Sequence, residues 1–215
     1  MVTFDYILNK CPPLKELYYN ENRFEDLLKI VNLQTNIEEY IRKIVKEHYL
    51  SPKSTVENYV TIKPPVIILD RTKILAGAYL EGPAVIGEDC VIGPNCHIRK
   101  NSIILNKIMI GQGAEIKETI LLDGCKISHF SYIGNSFFGK NVNIGGGSLT
   151  AVRRFDNQNI KLKLQEKFFD TKRYKFGAII GDNVQLGVGV LIYPGRVIKP
   201  NTTIKPGTIV KQNII

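Results

Sequence analysis

The chain holds three histidines, His48, His97 and His129, and His129 stands in the company that chemistry would need. An imidazole, with an unperturbed pKa of about 6.5, can take a proton from an attacking amine near neutral pH. Tyr132 and Asn143 follow it, and Gly145-Gly146-Gly147 comes just beyond. A glycine run lets backbone N–H groups approach a carbonyl closely and stabilise an oxyanion as it forms. Upstream, Arg99 offers a planar fork and Lys117 a point charge, two ways of holding a phosphate. Glu115 is a carboxylate of the kind that orients a histidine and stabilises its protonated form. Taken alone, the two cations are equally solvated surface charges, and the glycines equally a tight corner.

Side chains so far apart in sequence need a framework to bring them together, and residues 68–122 show which one. Ile68, Ile74, Leu80, Ile86, Ile92, Ile98, Ile104, Ile110, Ile116 and Leu122 recur at every sixth position. A period of six fits neither a helix nor a simple two-residue alternation. It is the mark of a parallel β-helix, in which three hexads make one coil. Four residues after most of these aliphatics sits a small residue: Thr72, Ala78, Ala84, Cys90, Cys96, Ser102 and Ala114. One large and one small inward residue is what a narrow prism can hold. The pattern continues through Ile127, Ile133, Phe138 and Ile144, breaks after Thr150, and resumes at Ile180, Leu186, Ile192, Ile198 and Ile204.

Residues 1–63 read as a separate helical cap for the open end of the prism, which would otherwise expose apolar interior and unpaired strand edges. Residues 21–31 and the spacing of Ile37, Tyr40, Ile41, Ile44 and Val45 predict helices, the second with Asn36 as N-cap. The β-helix then occupies residues 64–215. Residues 151–177 interrupt it as an insertion, where Ile160, Leu162 and Leu164 alternate with lysines and predict a hairpin or extended arm.

A net charge of +9 over 215 residues raises polyanionic ligands as partners, such as a phosphorylated substrate or coenzyme A. Much of the excess lies at 161–175 and near the C-terminus, and a phosphorylated small molecule suits it as well, so nucleic acid is not expected. The four cysteines form no CxxC pair, which argues against zinc and a disulfide frame; no metal is expected. No run approaches membrane-spanning length, and the first ten residues have no basic start or long apolar stretch, so neither a membrane nor secretion is expected, and the cytoplasm follows.

The segment from His129 to Thr150, HFSYIGNSFFGKNVNIGGGSLT, resembles the acetyltransferase domain of the bifunctional N-acetylglucosamine-1-phosphate uridyltransferases/glucosamine-1-phosphate acetyltransferases. Their pattern is roughly H-[LF]-[ST]-Y-[LIV]-G-x(6)-N-x-N-[IF]-G-[AG]-G-[ST]. Arg153-Arg154-Phe155-Asp156, the long insertion, the run from Lys175 to Asp182 and the run from Gly189 to Gly195 are most similar to the archaeal sugar-1-phosphate nucleotidylyltransferase/acetyltransferase branch. The resemblance implies an all-β fold, a left-handed parallel β-helix of hexapeptide repeats. It also implies an acetyl-CoA-dependent N-acetyltransferase acting on an amino-sugar 1-phosphate such as glucosamine 1-phosphate. In its terms His129 is the catalytic base, with Glu115 beside it. Arg99 and Lys117 hold the sugar phosphate, and Tyr132, Asn143 and Lys175 the amino sugar. The Gly146 backbone N–H meets the acetyl carbonyl, and Val188 lies on a coil that contacts coenzyme A.

The same resemblance implies a homotrimer, whose active sites lie between subunits and whose insertion reaches a neighbour. Three prisms side by side would form the clefts that one flat-faced prism lacks. The chain departs from the bacterial pattern where Val152-Arg153 replaces Asn-Tyr and where Pro206, which has no N–H, replaces a small residue. Its N-terminal region carries no G-x-G-T-R-M loop, so nucleotide-sugar synthesis by this chain alone is not expected. The alternative is a non-catalytic β-helix that binds sugar phosphate or partners a separate nucleotidyltransferase.

Overall fold

The computed structural model describes residues 2–164 and 167–214. Among them, residues 49–210 coil into a parallel β-helix whose three walls are eight-stranded sheets. Sheet A begins at Tyr49–Leu50 and Val66–Ile68, sheet B at Thr55–Val56 and Lys73–Ile74, and sheet C at Thr61–Lys63 and Tyr79–Glu81. Each strand pairs in parallel with its counterpart one coil on, as Ile68 with Ile86 and Ile86 with Ile104. The hexad aliphatics from Ile68 to Ile116 fill the interior, together with Ala78, Ala84, Cys90, Cys96 and Ala114. Cys125 joins them, and all four cysteines are free thiols buried in the protein.

One hexad position is corrected. Ile104 pairs with Leu121, seventeen residues on, so Leu121 faces inward and Leu122 outward. The next coil is equally short, Leu121 pairing with Phe138. Both drop a residue at the corner from sheet C to sheet A, where Glu118 and Asn135 turn at φ 45° and 49°. This is the left-handed region, which asparagine tolerates better than most residues.

The helices α1 (Phe4–Lys10), α2 (Pro12–Tyr19), α3 (Leu27–Thr35) and α4 (Ile37–Ile44) precede the first strand. A 3₁₀ turn at Arg23–Glu25 occupies part of the region read as one helix over 21–31. Asp26 caps α3 through the Lys29 N–H, whereas Asn36 makes no capping bond to α4 and donates instead to the Asn32 carbonyl. The helices do not lie across the open end, as the sequence suggested. They pack along the outside of sheet A, against Ile67, Leu69, Val85, Ile103, Leu122 and Phe137. The reason is visible in runs such as Val66-Ile67-Ile68-Leu69 and Ile120-Leu121-Leu122: sheet A is apolar on both faces and needs cover on both. The first coil, Tyr49 to Lys63, therefore lies inside the region expected to be helical.

The insertion leaves sheet C after Thr150 and re-enters the coil in sheet A at Ala178. Its antiparallel hairpin pairs Lys161–Leu164 with Lys167–Asp170. Ile160, Leu162 and Phe176 are buried in the same outer layer as the helices. Arg173 donates to the Thr35 carbonyl and pairs with Glu118 at 3.2 Å, and Asn213 donates to the Lys163 carbonyl at 2.6 Å. The hairpin thus folds back onto its own chain.

Candidate active site

Four of the expected residues share one face. In sheet C, outward positions pair in the ladder Tyr79–His97–Glu115–Tyr132. Two residues further along the strands come Lys63 and Glu81, which pair with each other, then Arg99 and Lys117. Arg99 Nη1 donates to Glu115 Oε1 at 2.8 Å, and Glu81 lies 4.0 Å from Arg99 Nε and 3.4 Å from His97 Nε2. Lys117 Nζ is 3.7 Å from Glu118 and only 13% exposed. Glu118 also accepts from Asn135 and Arg173, while its carbonyl accepts from Gln34 of α3. Lys117 is therefore braced through Glu118 by both the insertion and the helical layer.

Glu115, expected beside His129, bonds to Arg99 instead. Its strand position points it outward between His97 and Tyr132, with the guanidinium as the nearest bonded cation. Burial, and next the Glu115 carboxylate, raise the pKa of the Tyr132 phenol, and Arg99 opposes them. The phenol is therefore held as a neutral donor. The Tyr132 ring lies back along the sheet over Gly134, where an added Cβ would come within 2.6 Å of Oη.

His129 sits in the corner between sheets B and C, ahead of the strand Tyr132–Gly134. Its ring is exposed and makes no hydrogen bond or ion pair among the described residues. Its carbonyl accepts from Gly147 at 2.9 Å, the Gly146 carbonyl accepts from Gly189 at 2.9 Å, and the Val188 carbonyl accepts from Gly207 at 2.8 Å. His129, Gly146 and Val188 thus stack in successive coils at one corner. The three glycines differ in what they do. Gly145 lies so near Val188 that a Cβ would sit 2.5 Å from its nitrogen, and Gly147 has φ +67°. The Gly146 N–H has no acceptor among the described residues and no side chain of its own to cover it. Next to His129, Phe130 holds φ 54°, and its ring lies against Gly113.

Asn143 faces outward on sheet B, between Lys126 and Gln185, around the corner from Tyr132. Lys175 lies at the opposite edge of sheet C, in an antiparallel bridge with Arg153, its Nζ 5.2 Å from the Tyr174 ring centroid. One chain therefore does not gather Asn143 and Lys175 on the face that carries Arg99, Glu115, Lys117 and Tyr132. His48 Nδ1 contacts the Val66 carbonyl at 2.7 Å, a structural role.

Sequence reading missed Glu81, His97 and Glu118, although comparing positions one coil apart would have aligned His97 with Glu115 and Tyr132. It also missed the change of character along sheet C, where the ladder continues beyond Tyr132 as Leu149–Leu191–Ile209. With Ala151, Phe155 and Tyr193, Leu191 and Ile209 line a groove of about 630 Å³. No helix among the described residues is long and apolar enough to cross a membrane.

A family model described as GMPPB C-terminal domain matches residues 80–215. The chain belongs to that family. Its curated relatives include the "Bifunctional sugar-1-phosphate nucleotidylyltransferase/acetyltransferase" of Sulfurisphaera tokodaii, 40% identical over 140 residues, which covers 65% of this chain and 35% of the relative. The "Bifunctional protein GlmU" of Methanococcus aeolicus is 36% identical over 214 residues, covering 83% and 52% respectively. The chain spans about a third to a half of the length of these relatives, whose names carry the kind of bifunctional enzyme that the His129–Thr150 segment resembles. Among solved structures, the polysialic acid O-acetyltransferase OatWY matches with a TM-score of 0.45 and 18% identity, covering 75% of this chain and 81% of that one. That likeness is too loose to carry a functional argument.

Proposed function

We propose that the chain is an acetyl-CoA-dependent N-acetyltransferase acting in the cytoplasm on an amino-sugar 1-phosphate such as glucosamine 1-phosphate. The observation that carries this reading is the shared corner: the unbonded ring of His129 lies one coil from the uncovered N–H of Gly146. His129 takes a proton from the substrate ammonium, and the freed amine attacks the thioester carbonyl. The Gly146 N–H stabilises the oxyanion. Collapse expels the coenzyme A thiolate, which takes the second proton from the new amide nitrogen, and protonated His129 returns the first to solvent. Arg99 and Lys117 hold the sugar phosphate by charge-assisted bonds. Glu115 keeps Arg99 in position, and Tyr132 donates to the sugar. Val188, exposed one coil beyond Gly146, forms part of the coenzyme A wall.

Asn143 and Lys175 complete the site across a subunit boundary. The helices cover sheet A, so sheets B and C remain for contact with neighbours. A closed three-fold arrangement would set one chain's sheet C against the next chain's sheet B corner. The test is coenzyme A release from acetyl-CoA with glucosamine, glucosamine 1-phosphate, galactosamine 1-phosphate and UDP-glucosamine in turn. Turnover with a hexosamine 1-phosphate, at least tenfold above the free sugar in kcat/KM, is expected. No acceptor-dependent release with any of the four would refute the reading.

A further inference from the structure

The corner between sheets B and C turns on one backbone position that recurs in each coil. Tyr59, Gly77, Asn95, Gly113, Phe130, Gly147, Gly189 and Gly207 occupy it, all with positive φ. The Phe130 N–H donates to the Gln112 carbonyl at 3.0 Å, as the Gly147 N–H does to His129 one coil on. Glycine fits this left-handed position without steric cost, and asparagine tolerates it, but a bulky side chain there is a strained outlier. Among the coils that carry the site, only Phe130 is one, next in sequence to His129. Strain of this kind persists where the surrounding structure holds it, and it gathers at ligand-binding sites.

The fold itself makes little use of the ring, which is 67% exposed. Its Cδ1–Cε1 edge rests over Gly113, both atoms 2.9 Å from where a Cβ would stand. At the matching position one coil on, an added Cβ at Gly147 would meet nothing within 4 Å. His129 therefore has an aromatic ring toward one neighbouring coil and bare backbone toward the other. The ring leans toward the coil of Glu115 and Lys117, away from Gly146. Along that coil Glu115 comes two residues after Gly113 and Lys117 two after that, steps of roughly 6–7 Å in extended chain. Between the ring and the cations Arg99 and Lys117 there is room for one hexose, lying over Glu115 and Tyr132. A face of a pyranose presents slightly positive C–H groups, which pack well on the negative face of an aromatic ring.

We infer that the Phe130 ring is the platform on which the hexose of the sugar phosphate packs, turning its amine toward His129. The inference rests on the sugar-phosphate reading above and adds a contact for the carbon face of the sugar. The test is Phe130→Gly in the whole chain, which installs the residue this corner carries in five other coils. Titration calorimetry compares glucosamine 1-phosphate, glucose 1-phosphate, inorganic phosphate and coenzyme A. Both sugar phosphates should bind roughly 5- to 50-fold more weakly. Inorganic phosphate, which Arg99 and Lys117 hold without the ring, and coenzyme A should keep their wild-type Kd. Phe130→Tyr, which restores a ring, should recover sugar-phosphate affinity to within about threefold. The thermal midpoint of Phe130→Gly should be no lower than wild type, because glycine relieves the strained φ and the ring is little buried. Unchanged affinity for both sugar phosphates overturns the platform, as does a loss shared equally by inorganic phosphate or coenzyme A. A midpoint several degrees lower, or a smaller assembly by light scattering, also overturns it, since the ring would then pack within the fold or between chains. If the wild-type chain transfers no acetyl group but its sugar-phosphate affinity still depends on Phe130, the acetyltransferase reading fails while the platform stands.

Discussion

At the scale of single residues, the arrangement depends on contacts with little slack. Gly134 leaves room for the Tyr132 ring, and a Cβ there would meet both Tyr132 Oη and the Val152 side chain. Gly134→Ala should therefore displace the phenol and raise the KM for the sugar phosphate several-fold, with the acetyl-CoA KM little changed; steady-state kinetics with each substrate varied will show it. Arg99→Ala and Lys117→Ala should each weaken sugar-phosphate binding by roughly 1.5–3 kcal/mol, the worth of a charge-assisted bond, and leave acetyl-CoA largely unaffected. Equal losses for both substrates would instead indicate a disturbed fold. The types of these residues were legible in the sequence, but their bonds were not. Glu115 reads as a partner for His129, yet the pleat sets it beside Arg99, because strand register decides which side chains meet.

At the scale of elements, the hexad pattern disclosed the coil because one large inward residue per wall is a geometric necessity. It failed at Leu122 for a local reason. Ile120, Leu121 and Leu122 are all apolar, and only the shortened corner decides which one points inward. The same ambiguity hid the position of the helices, since an apolar run does not say what covers its second face. Phe137 is fully buried beneath that cover. Phe137→Ala should cost about 3–5 kcal/mol in urea unfolding, where an uncovered aromatic would cost far less. A loss below about 1 kcal/mol would mean that the helices do not pack there in solution. The insertion's lysine–aliphatic alternation left a hairpin and an extended arm open, and the chain forms the hairpin. Its return onto its own chain depends on Arg173, Glu118 and Asn213, whose pairing no local pattern displays.

At the scale of the whole molecule, burial pushes the Cys90 and Cys125 thiols up to about 12 and those of Cys11 and Cys96 up to about 11, from an ordinary 9.0. A proton held more tightly in the folded state contributes stability that is fully present below about pH 9 and is lost as pH rises toward 12. Thermal unfolding midpoints should thus stay level to about pH 8.5 and fall steadily above it. A level profile through pH 11 would contradict such deep burial. For the assembly, light scattering should report three chains. Mixing inactive His129→Ala and Lys175→Ala subunits should restore some activity if the two residues meet across a boundary. A trimer without restoration would remove Lys175 from that role, and a monomer would remove the shared site altogether. The account as a whole turns on His129. The most direct measurement is the steady-state rate of coenzyme A release by His129→Ala with acetyl-CoA and glucosamine 1-phosphate. The account predicts a kcat lower by roughly 10²–10⁴-fold with a far smaller change in sugar-phosphate KM. A kcat within a few-fold of wild type would contradict it.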